Sequence, residues 1–597
     1  MVSTLALVAA GVVLYMLVAM ALRARGLLPD SVRISGPITT IHTRRGKEFL
    51  DRLARPKRLW RAWGNFGIGV ALVVMFGSFF AVLFAGYSAL TNPQPSAVTE
   101  PQNVLVIPGV NEFLPLSVAP EIVLGLLVGL VVHEGGHGLF CRVGDIRIES
   151  MGLALLTIVP IGAFVEPDEE SRNRADRGAQ TRMFAAGVTN NFAVAVLAFA
   201  LLFGPIIGSI AVAPGAAVGD VVGTDNAGFA SPAERAGIER GDRITAVDGQ
   251  PVNDAAEFDA AMLDAGRTVQ VTIDGERQVT LERDLLLTRT TPSVVGDLDT
   301  SGGPPRIEAV NGRSVNTEGE FYDALRGNPV STVRTTGGEF EMVGGAYVES
   351  VSPDGALAEH VPTGGDHSIV ITRFAGERVV TYEQLNELRQ RTSPGDTVSV
   401  QLYVDGEART VDVTLGETRG VEGGTLGVAL RQGTGGIAVD DTGITPYPAA
   451  EYLGALSQDG WSVQSFLQRV AFSLFLPFIG AVGASGLTYN FAGFVAPITD
   501  FYVVQGPLAF LGGGVFLLAN ALFWTAWINL NLGFFNCIPT FPLDGGHILR
   551  ASTESVVSRL PLPNGGRRRL TSAITTVISM TMLAGVFLMV FGPQLLP

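Results

Sequence analysis

The chain of 597 residues is 47% hydrophobic and has a mean hydropathy of +0.34. This composition excludes an ordinary soluble enzyme and predicts a polytopic α-helical membrane protein that carries a large soluble insert. The formal net charge is −15, and the one strongly basic stretch lies between two apolar segments, which disfavours a nucleic-acid partner.

Residues 1–92 are predicted to form two transmembrane helices, at 3–22 and 65–91, joined by a basic loop. Residues 23–61 contain eleven Arg or Lys residues and three acidic residues. Because cytoplasmic loops carry an excess of basic residues, we expect this loop in the cytoplasm and the N-terminus outside. The third span, at about 119–140, then runs from the outside to the inside of the cell membrane.

The third span opens the segment 118–213 and contains the sequence H-E-G-G-H at 133–137. In a helix, His133 and His137 share one face, where both imidazoles can reach one zinc ion, and Glu134 is positioned as a general base towards water. Ionisable groups are costly within hydrocarbon, so their presence here indicates a functional site.

Helix geometry predicts the depth of this motif. His133 is fourteen residues after Ala119, a rise of about 21 Å through a hydrocarbon core about 30 Å thick. The active site is therefore expected nearer to the cytoplasmic side. Short apolar runs broken by Gly and Pro follow, and a fourth span at 183–213 returns the chain to the outside.

Residues 214–430 are predicted to form an extracytoplasmic, strand-rich insert. A repeated pattern is clearest at 231–252 (S-P-A-E-R-A-G-I, G-D-R-I and V-D-G-Q-P-V), is shorter at 307–315, and begins again at 352–357. These repeats resemble PDZ domains, which bind peptide termini by adding a strand to an open sheet edge. We expect copies at about 215–285 and 346–417, and a partial copy at about 295–345.

The composition of the insert is unusual. Between residues 214 and 460 there is no lysine, and acidic residues outnumber arginines roughly twofold. Such a surface is typical of proteins from halophiles. The chain has only two cysteines, Cys141 and Cys537, so no disulfide framework is predicted.

Residues 431–505 are predicted to contain a linker and then an apolar segment, 467–498, that Pro and Gly interrupt. The last span, at about 570–592, follows three arginines and is expected to run from inside to outside. The segment 467–498 must then cross the membrane twice or not at all, and a re-entrant or interfacial element is expected. Residues 506–597 form the second part of the membrane core.

Zinc catalysis requires three protein ligands and one open position. Within N-C-I-P-T-F-P-L-D-G-G-H at 536–547, Asp544 is the best remaining donor, because a carboxylate is otherwise hard to explain near hydrocarbon. Cys141 lies one helical turn after His137 and is a further candidate, which we interpret instead as a small buried residue.

The two motifs, in this order and separated by PDZ-like modules, resemble the site-2 protease family of intramembrane zinc metalloproteases, peptidase family M50. The resemblance implies a three-helix metalloprotease core that binds Zn²⁺ through His133, His137 and Asp544. It also implies that Glu134 is the catalytic residue that activates water.

The sequence A-G-V-T-N-N at 186–191 is similar to a pattern that this family carries in its next span. By this resemblance, Asn191 points towards the site. Asn191 and Asn536 are therefore candidates for holding the substrate backbone or the developing oxyanion.

The sequence G-A-F-V at 162–165 is similar to the family's membrane-edge strand. The resemblance implies that a strand containing Gly162 and Phe164 receives an extended substrate by strand addition. The chain departs from the family pattern at Ala163 and at Phe541, and neither departure changes a metal ligand.

The resemblance implies hydrolysis of peptide bonds in or next to transmembrane segments of membrane-anchored proteins, in regulated intramembrane proteolysis. Such a segment must unwind locally in the lipid bilayer before water can attack it. Two alternatives are open. One is a catalytically silent PDZ-bearing membrane scaffold, and the other is a metal transporter, which needs further intramembrane ligands that the spans scarcely offer.

Overall fold

The computed structural model describes the chain in two compact units. One, here called the membrane unit, comprises Met1–Ala211, Ala450–Val495 and Val503–Pro597, and the other, the insert unit, comprises Val212–Ala449 and Ala496–Tyr502. The residues described are 4–29, 31–35, 37–91, 107–111, 114–157, 159–223, 229–363, 367–418, 421–457, 460, 462–482 and 487–595.

The first part of the chain alternates membrane helices with short strands. Its elements are α1 (Thr4–Ala24), β1 (Val32–Ser35), β2 (Ile38–His42), α2 (Arg44–Leu53), α3 (Lys57–Thr91), α4 (Ala119–Val143), β3 (Ile148–Leu156), β4 (Val159–Pro167), α5 (Glu169–Arg174), α6 (Arg177–Leu201) and β5 (Ile210–Val212).

The insert unit is built from strands with short helices between them. Its elements are β6 (Ala216–Val221), α7 (Pro232–Arg235), β7 (Arg243–Val247), β8 (Gln250–Pro251), α8 (Ala255–Asp264), β9 (Thr268–Ile273), β10 (Arg277–Glu282), β11 (Leu286–Arg289), α9 (Pro292–Val295), β12 (Ile307–Val310), β13 (Arg313–Ser314), α10 (Glu318–Arg326), β14 (Val330–Thr335), β15 (Gly338–Val343), β16 (Ala346–Val351), β17 (Ile369–Phe374), β18 (Glu377–Arg378), α11 (Tyr382–Gln390), β19 (Thr397–Val404), β20 (Glu407–Thr414), β21 (Val428–Arg431), β22 (Ala438–Asp440) and β23 (Ile444–Pro446).

The last part of the chain is again mainly helical. It comprises α12 (Ala449–Ser457), α13 (Val463–Phe475), α14 (Ile479–Val482), β24 (Tyr502–Val504), α15 (Gly514–Asn536), α16 (Asp544–Val557) and α17 (Asn564–Leu595). Among the described residues, six helical segments are long and apolar enough to cross a membrane: Lys57–Thr91, Leu116–Val143, Arg177–Ser209, Val463–Ala481, Gly514–Asn536 and Asn564–Gly592. The chain is therefore a polytopic membrane protein with a substantial β-rich region.

Helices α4, α6 and α15 pack against one another through glycines. A Cβ on Gly125 of α4 would meet Trp524 and Ile528 of α15, and one on Gly129 would meet Asn529 and Leu532. The later glycine of α4 therefore faces later residues of α15, which shows that the two helices run parallel. Without side chains at these two positions, the backbones approach closely, as is common where helices pack in membranes.

The first four strands of the membrane unit form an antiparallel sheet in the order β1-β2-β3-β4, and β5 pairs separately with β24. The hairpin of β1 and β2 comes from the basic segment that the sequence predicted only as a loop, and Ile41 pairs with Leu153 of β3. In β1 the β-branched Val32 and Ile34 alternate with more exposed polar residues, a weak signal that the arginine content obscured. Strand β4 lies at the other end of the sheet, so one of its edges is free of strand partners.

The insert unit contains three modules, each with its own sheet and apolar core. The first and third sheets have six strands each, and the middle sheet has four, in the order β13-β12-β14-β15. The middle sheet is thus the smallest of the three. The third module is continuous in sequence, since all its strands lie between Ala346 and Arg431.

The boundary of the insert differs from the sequence-based expectation. Residues after 430 were expected to be linker, but β22 pairs with β11, and β23 pairs with β6 of the first module through Ile444 and Val221. These strands are only three residues long and lie more than two hundred residues from β6. No local pattern distinguishes so short a strand from a linker.

Described residues in and after α13 contact α15 in an order antiparallel to that helix. The indole of Trp527 donates to the carbonyl of Leu474 (3.2 Å), whereas the indole of Trp524 donates to that of Ala492 (3.0 Å). The amide of Asn520 then donates to Phe494 (2.9 Å). As the chain advances from 474 to 494, its contacts therefore move back towards the N-terminus of α15.

Candidate metal centre

The two histidines of the H-E-G-G-H sequence lie one helical turn apart on α4. Their Nε2 atoms are 3.2 Å apart, and the rings meet edge to face with centroids 4.8 Å apart. The imidazole of His133 is buried, with 8% of the residue exposed. Helical periodicity alone produces this arrangement, since residues four apart share a helix face.

Asp544, the first residue of α16, completes the cluster. Its Oδ2 atom lies 3.1 Å from Nε2 of His133 and 3.3 Å from Nε2 of His137. The same oxygen is buried and accepts no hydrogen bond from the residues that the structure describes. A carboxylate oxygen in that position, facing two imidazole nitrogens, is the kind of group that a cation satisfies.

The donor set fits zinc. Tetrahedral bonds of about 2.0–2.1 Å place neighbouring ligand atoms about 3.3 Å apart, and the three donor pairs are separated by 3.1–3.3 Å. Among the residues that the structure describes, no other group of three or more His, Cys, Asp or Glu side chains converges in this way.

The second nitrogen of each imidazole faces α6. Nδ1 of His137 donates to the carbonyl of Met183 (2.8 Å), and Nδ1 of His133 lies 3.3 Å from the Asn191 amide. These contacts direct both Nε2 atoms inwards. The Asn191 atom nearest to this Nδ1 is the amide nitrogen, and the amide oxygen is buried without a hydrogen-bond partner among the described residues. An imidazole that binds a metal through Nε2 carries its proton on Nδ1, so we expect the two ends of this amide to be exchanged, with the oxygen accepting that hydrogen bond.

Glycines let the backbone approach the cluster. A Cβ on Gly187 of α6 would lie 2.8 Å from both His133 and His137. Gly545 and Gly546 follow Asp544. A Cβ added to Gly545 would collide with the carbonyl of Ile538, and one added to Gly546 would collide with the carbonyl of Thr540. The doubled glycine after Asp544 was the sequence signal for this packing, and its role was not recognised from the motif alone.

Glu134 is anchored to the free edge of β4. Its Oε2 atom accepts a hydrogen bond from the backbone N–H of Val165 (3.0 Å). Among the described strands β4 pairs with β3 alone, so this donor projects from the edge of β4 that has no strand partner there. The acid of the helix motif and the edge strand therefore lie side by side, which the sequence alone did not show.

The other predicted site residues have more local partners. The Asn536 amide donates to Leu532 of its own helix (3.0 Å), and the Phe164 ring meets His42 edge to face at 5.2 Å. Gly162 pairs with Ala154 across the β3–β4 ladder. Roles for these residues in substrate binding remain predictions.

Cys141 is buried with its sulfur 3.4 Å from that of Met183. It is not part of the donor cluster described above. This placement agrees with its interpretation as a small buried residue.

Comparison with known proteins assigns this chain to a family. The model of peptidase family M50 matches residues 121–584. A regulator of sigma E protease from Salmonella typhi is 23% identical over 479 residues, which cover 73% of this chain and 89% of that protein.

Shorter matches cover parts of two other relatives. The zinc metalloprotease RasP of Oceanobacillus iheyensis is 24% identical over 187 residues, 31% of this chain and 39% of that protein. An uncharacterised protein of Methanocaldococcus jannaschii is 25% identical over 176 residues, 29% of this chain and 46% of that protein. These two matches span less than half the length of those relatives.

Proposed function

The chain belongs to peptidase family M50 and is a zinc metalloprotease of the site-2 type, and we propose that it hydrolyses peptide bonds in or next to transmembrane segments of membrane-anchored proteins. The observation that carries this proposal is the convergence of His133, His137 and Asp544. Glu134 lies beside the two histidines on the same apolar helix. A catalytically silent scaffold is disfavoured, because neither the base nor any ligand is substituted.

His133, His137 and Asp544 would hold the zinc ion. When bound, zinc supplies a Lewis acid that polarises the scissile carbonyl and lowers the pKa of water. Because Val165 anchors Oε2 of Glu134, the other carboxylate oxygen is the one we assign to receive the proton of the attacking water. Glu134 then returns this proton to the leaving amine.

The free edge of β4 is the surface that we assign to the substrate. An extended chain has unpaired N–H and C=O groups, and a strand edge satisfies them while it holds the peptide straight. The bond from Val165 to Glu134 places that edge next to the acid. Strand addition would therefore deliver an unwound peptide bond to the metal centre.

We test this proposal with purified protein in lipid vesicles and a model substrate with one transmembrane segment. Removal of metal by a chelator should abolish cleavage, and one equivalent of Zn²⁺ should restore it, because three protein ligands converge on one position. Cleavage sites are located by mass spectrometry. Cleavage that survives complete metal removal, or that occurs only in soluble parts of the substrate, contradicts the proposal.

The path of the chain favours a re-entrant segment around α13. The parallel direction of α4 and α15 requires the chain between them to return to the side from which α4 starts. Contacts of residues 474–494 move back along α15, as a re-entrant segment requires. With the basic loop in the cytoplasm, the insert is then extracytoplasmic and the metal centre is nearer to the cytoplasmic side.

Single cysteines test this topology, since Cys141 and Cys537 are both buried. A membrane-impermeant thiol reagent should label Arg55→Cys only from the cytoplasmic side and Glu407→Cys only from the outside. Ala481→Cys, near the point of reversal, should resist labelling from the cytoplasmic side. Labelling of Ala481→Cys there as fast as Arg55→Cys would show that α13 crosses the membrane.

We further propose that the insert selects substrates by binding peptide termini, in regulated proteolysis of membrane-anchored proteins. The third module offers a clean test, because its ends meet. The N–H of Gly435 donates to the carbonyl of Gly345 (2.7 Å), and the N–H of Gly345 donates to the Thr434 hydroxyl (3.2 Å). Residues 346–433 can therefore be deleted with Gly345 joined directly to Thr434.

The deletion variant should keep one zinc per chain and cleave a short model substrate at an unchanged rate. Comparison of membrane proteomes should show a changed set of cleaved proteins, since a selecting module is gone while the metal centre is intact. An unchanged set of cleaved proteins contradicts the selecting role. Loss of zinc would show that the module instead supports the fold.

A further inference from the structure

A group of exposed arginines, here called the arginine patch, surrounds the start of α3. Residues 44–61 contain eight basic and two acidic residues. Six of the basic residues are exposed and, among the described residues, have no ion pair or side-chain hydrogen bond: Arg44, Arg45, Arg52, Arg55, Arg58 and Arg61. So many uncompensated charges at one end of a membrane helix call for an anionic partner.

Helix α2 has two distinct faces. Its inner face packs through Leu50, which is buried, and its outer face carries Arg45 and Arg52. Phe49 lies on the flank of the outer face with 62% of its surface exposed, and Leu59 of α3 is equally exposed. Basic residues mixed with exposed apolar ones are typical of helices that lie in the interface of a bilayer.

The position of the patch favours lipid over a soluble polyanion. Arg58 and Arg61 lie in the first two turns of α3, which is one of the apolar segments long enough to span the membrane. These side chains therefore lie at the level of the lipid headgroups, where negative charge is already present at high density. We propose that the arginine patch binds the headgroups of anionic phospholipids.

The inner face of α2 links this surface to the catalytic helix. A Cβ on Gly138, the residue after His137, would lie 2.7 Å from the Leu50 side chain. The Asp51 carboxylate pairs with Arg142 at the end of α4 (3.0 Å), and Lys57 pairs with Asp145 just beyond it (2.6 Å). Headgroups bound on the outer face thus hold α2 against the helix that carries His133 and His137. This consequence for activity rests on the proposed function, whereas lipid binding does not.

The test measures lipid enrichment directly in the full chain. A fluorophore is attached through Glu48→Cys on the exposed face of α2, and the protein is placed in phosphatidylcholine nanodiscs. Equal small fractions of headgroup nitroxide-labelled phosphatidylglycerol or phosphatidylcholine are then added as quenchers. The anionic quencher should be the stronger one at low salt, and 0.5 M NaCl should reduce the difference.

Charge variants decide whether the patch causes this preference. One variant combines Arg44→Gln, Arg45→Gln and Arg52→Gln. Its apparent affinity for the anionic lipid should fall about tenfold or more, since each arginine near an anionic bilayer adds to the binding free energy. The matched control removes three exposed arginines of the insert unit that likewise have no ion-pair partner, Arg240, Arg289 and Arg313, and should leave quenching unchanged.

Two results would overturn the proposal: equal quenching by the two lipids, or an equal loss in the patch and control variants. Hydrogen exchange of α2 and of the end of α4 provides the second measurement. Exchange should slow in phosphatidylglycerol nanodiscs for the unsubstituted chain only, and no change in either helix contradicts the link to α4. Neither measurement requires proteolysis, so a failure of the proposed function remains distinguishable from a failure of this proposal.

Discussion

Glu134→Gln is expected to reduce cleavage of a transmembrane substrate by a factor on the order of 10²–10⁴, the range attributable to a general acid–base residue. Gln retains a side-chain oxygen that accepts the Val165 N–H, so β4 should stay beside α4. The variant loses only the carboxylate that can take a proton. Because Glu134 is not one of the three converging donors, zinc content should remain at one ion per chain.

Steady-state cleavage and metal analysis of the same preparation check this prediction. Glu121→Gln is the matched control, since it makes the same change on the same helix, thirteen residues earlier and about 20 Å away along the axis. That control should retain activity. Turnover of Glu134→Gln close to that of the unsubstituted protein would reject the assignment of Glu134 as the base.

Asp544→Asn is expected to remove both zinc and activity. The substitution keeps the shape of the side chain but replaces an anionic oxygen, which lies 3.1 Å and 3.3 Å from two imidazole nitrogens, with a neutral amide. Removal of residues that merely orient ligands typically lowers metal affinity 10–100-fold. Loss of a ligand itself should exceed that range.

Zinc titration against a competing chelator measures this loss. Glu554→Gln, on the same helix α16, is the control, because Glu554 pairs with Arg550 rather than with the cluster. It should bind zinc normally. If Asp544→Asn bound zinc as tightly as this control, the third ligand would lie elsewhere. The metal content would then no longer distinguish Glu134→Gln from Asp544→Asn.

These two variants also distinguish the classes of function raised by the sequence. Membership of the family shows that the chain is an enzyme rather than a silent scaffold. A loss of activity with zinc retained is the result expected for a catalytic base. A transporter would need a series of metal-binding groups along a path. In the part of the chain that the structure describes, only one such cluster is present.

The sequence determined what depends on local spacing. Residues four apart share a helix face, so the pair of imidazoles on α4 and the acid beside them could be placed from the order of the residues alone. Long apolar runs likewise predicted most of the helical segments that are long enough to span a membrane. The direction of the spans, inferred from the basic content of 23–61, stays a prediction. The two motifs in order were enough to predict the family, which the family match confirmed.

Only the tertiary structure decided which distant groups meet. Asp544 lies more than four hundred residues from His133, and the short strand β23 lies more than two hundred residues from β6. The bond from Val165 to Glu134 and the packing of Leu50 beside Gly138 depend on how strands and helices approach, which residue spacing does not encode. Helical periodicity fixes neighbours within one or two turns, whereas contacts between elements form only where complementary surfaces pack.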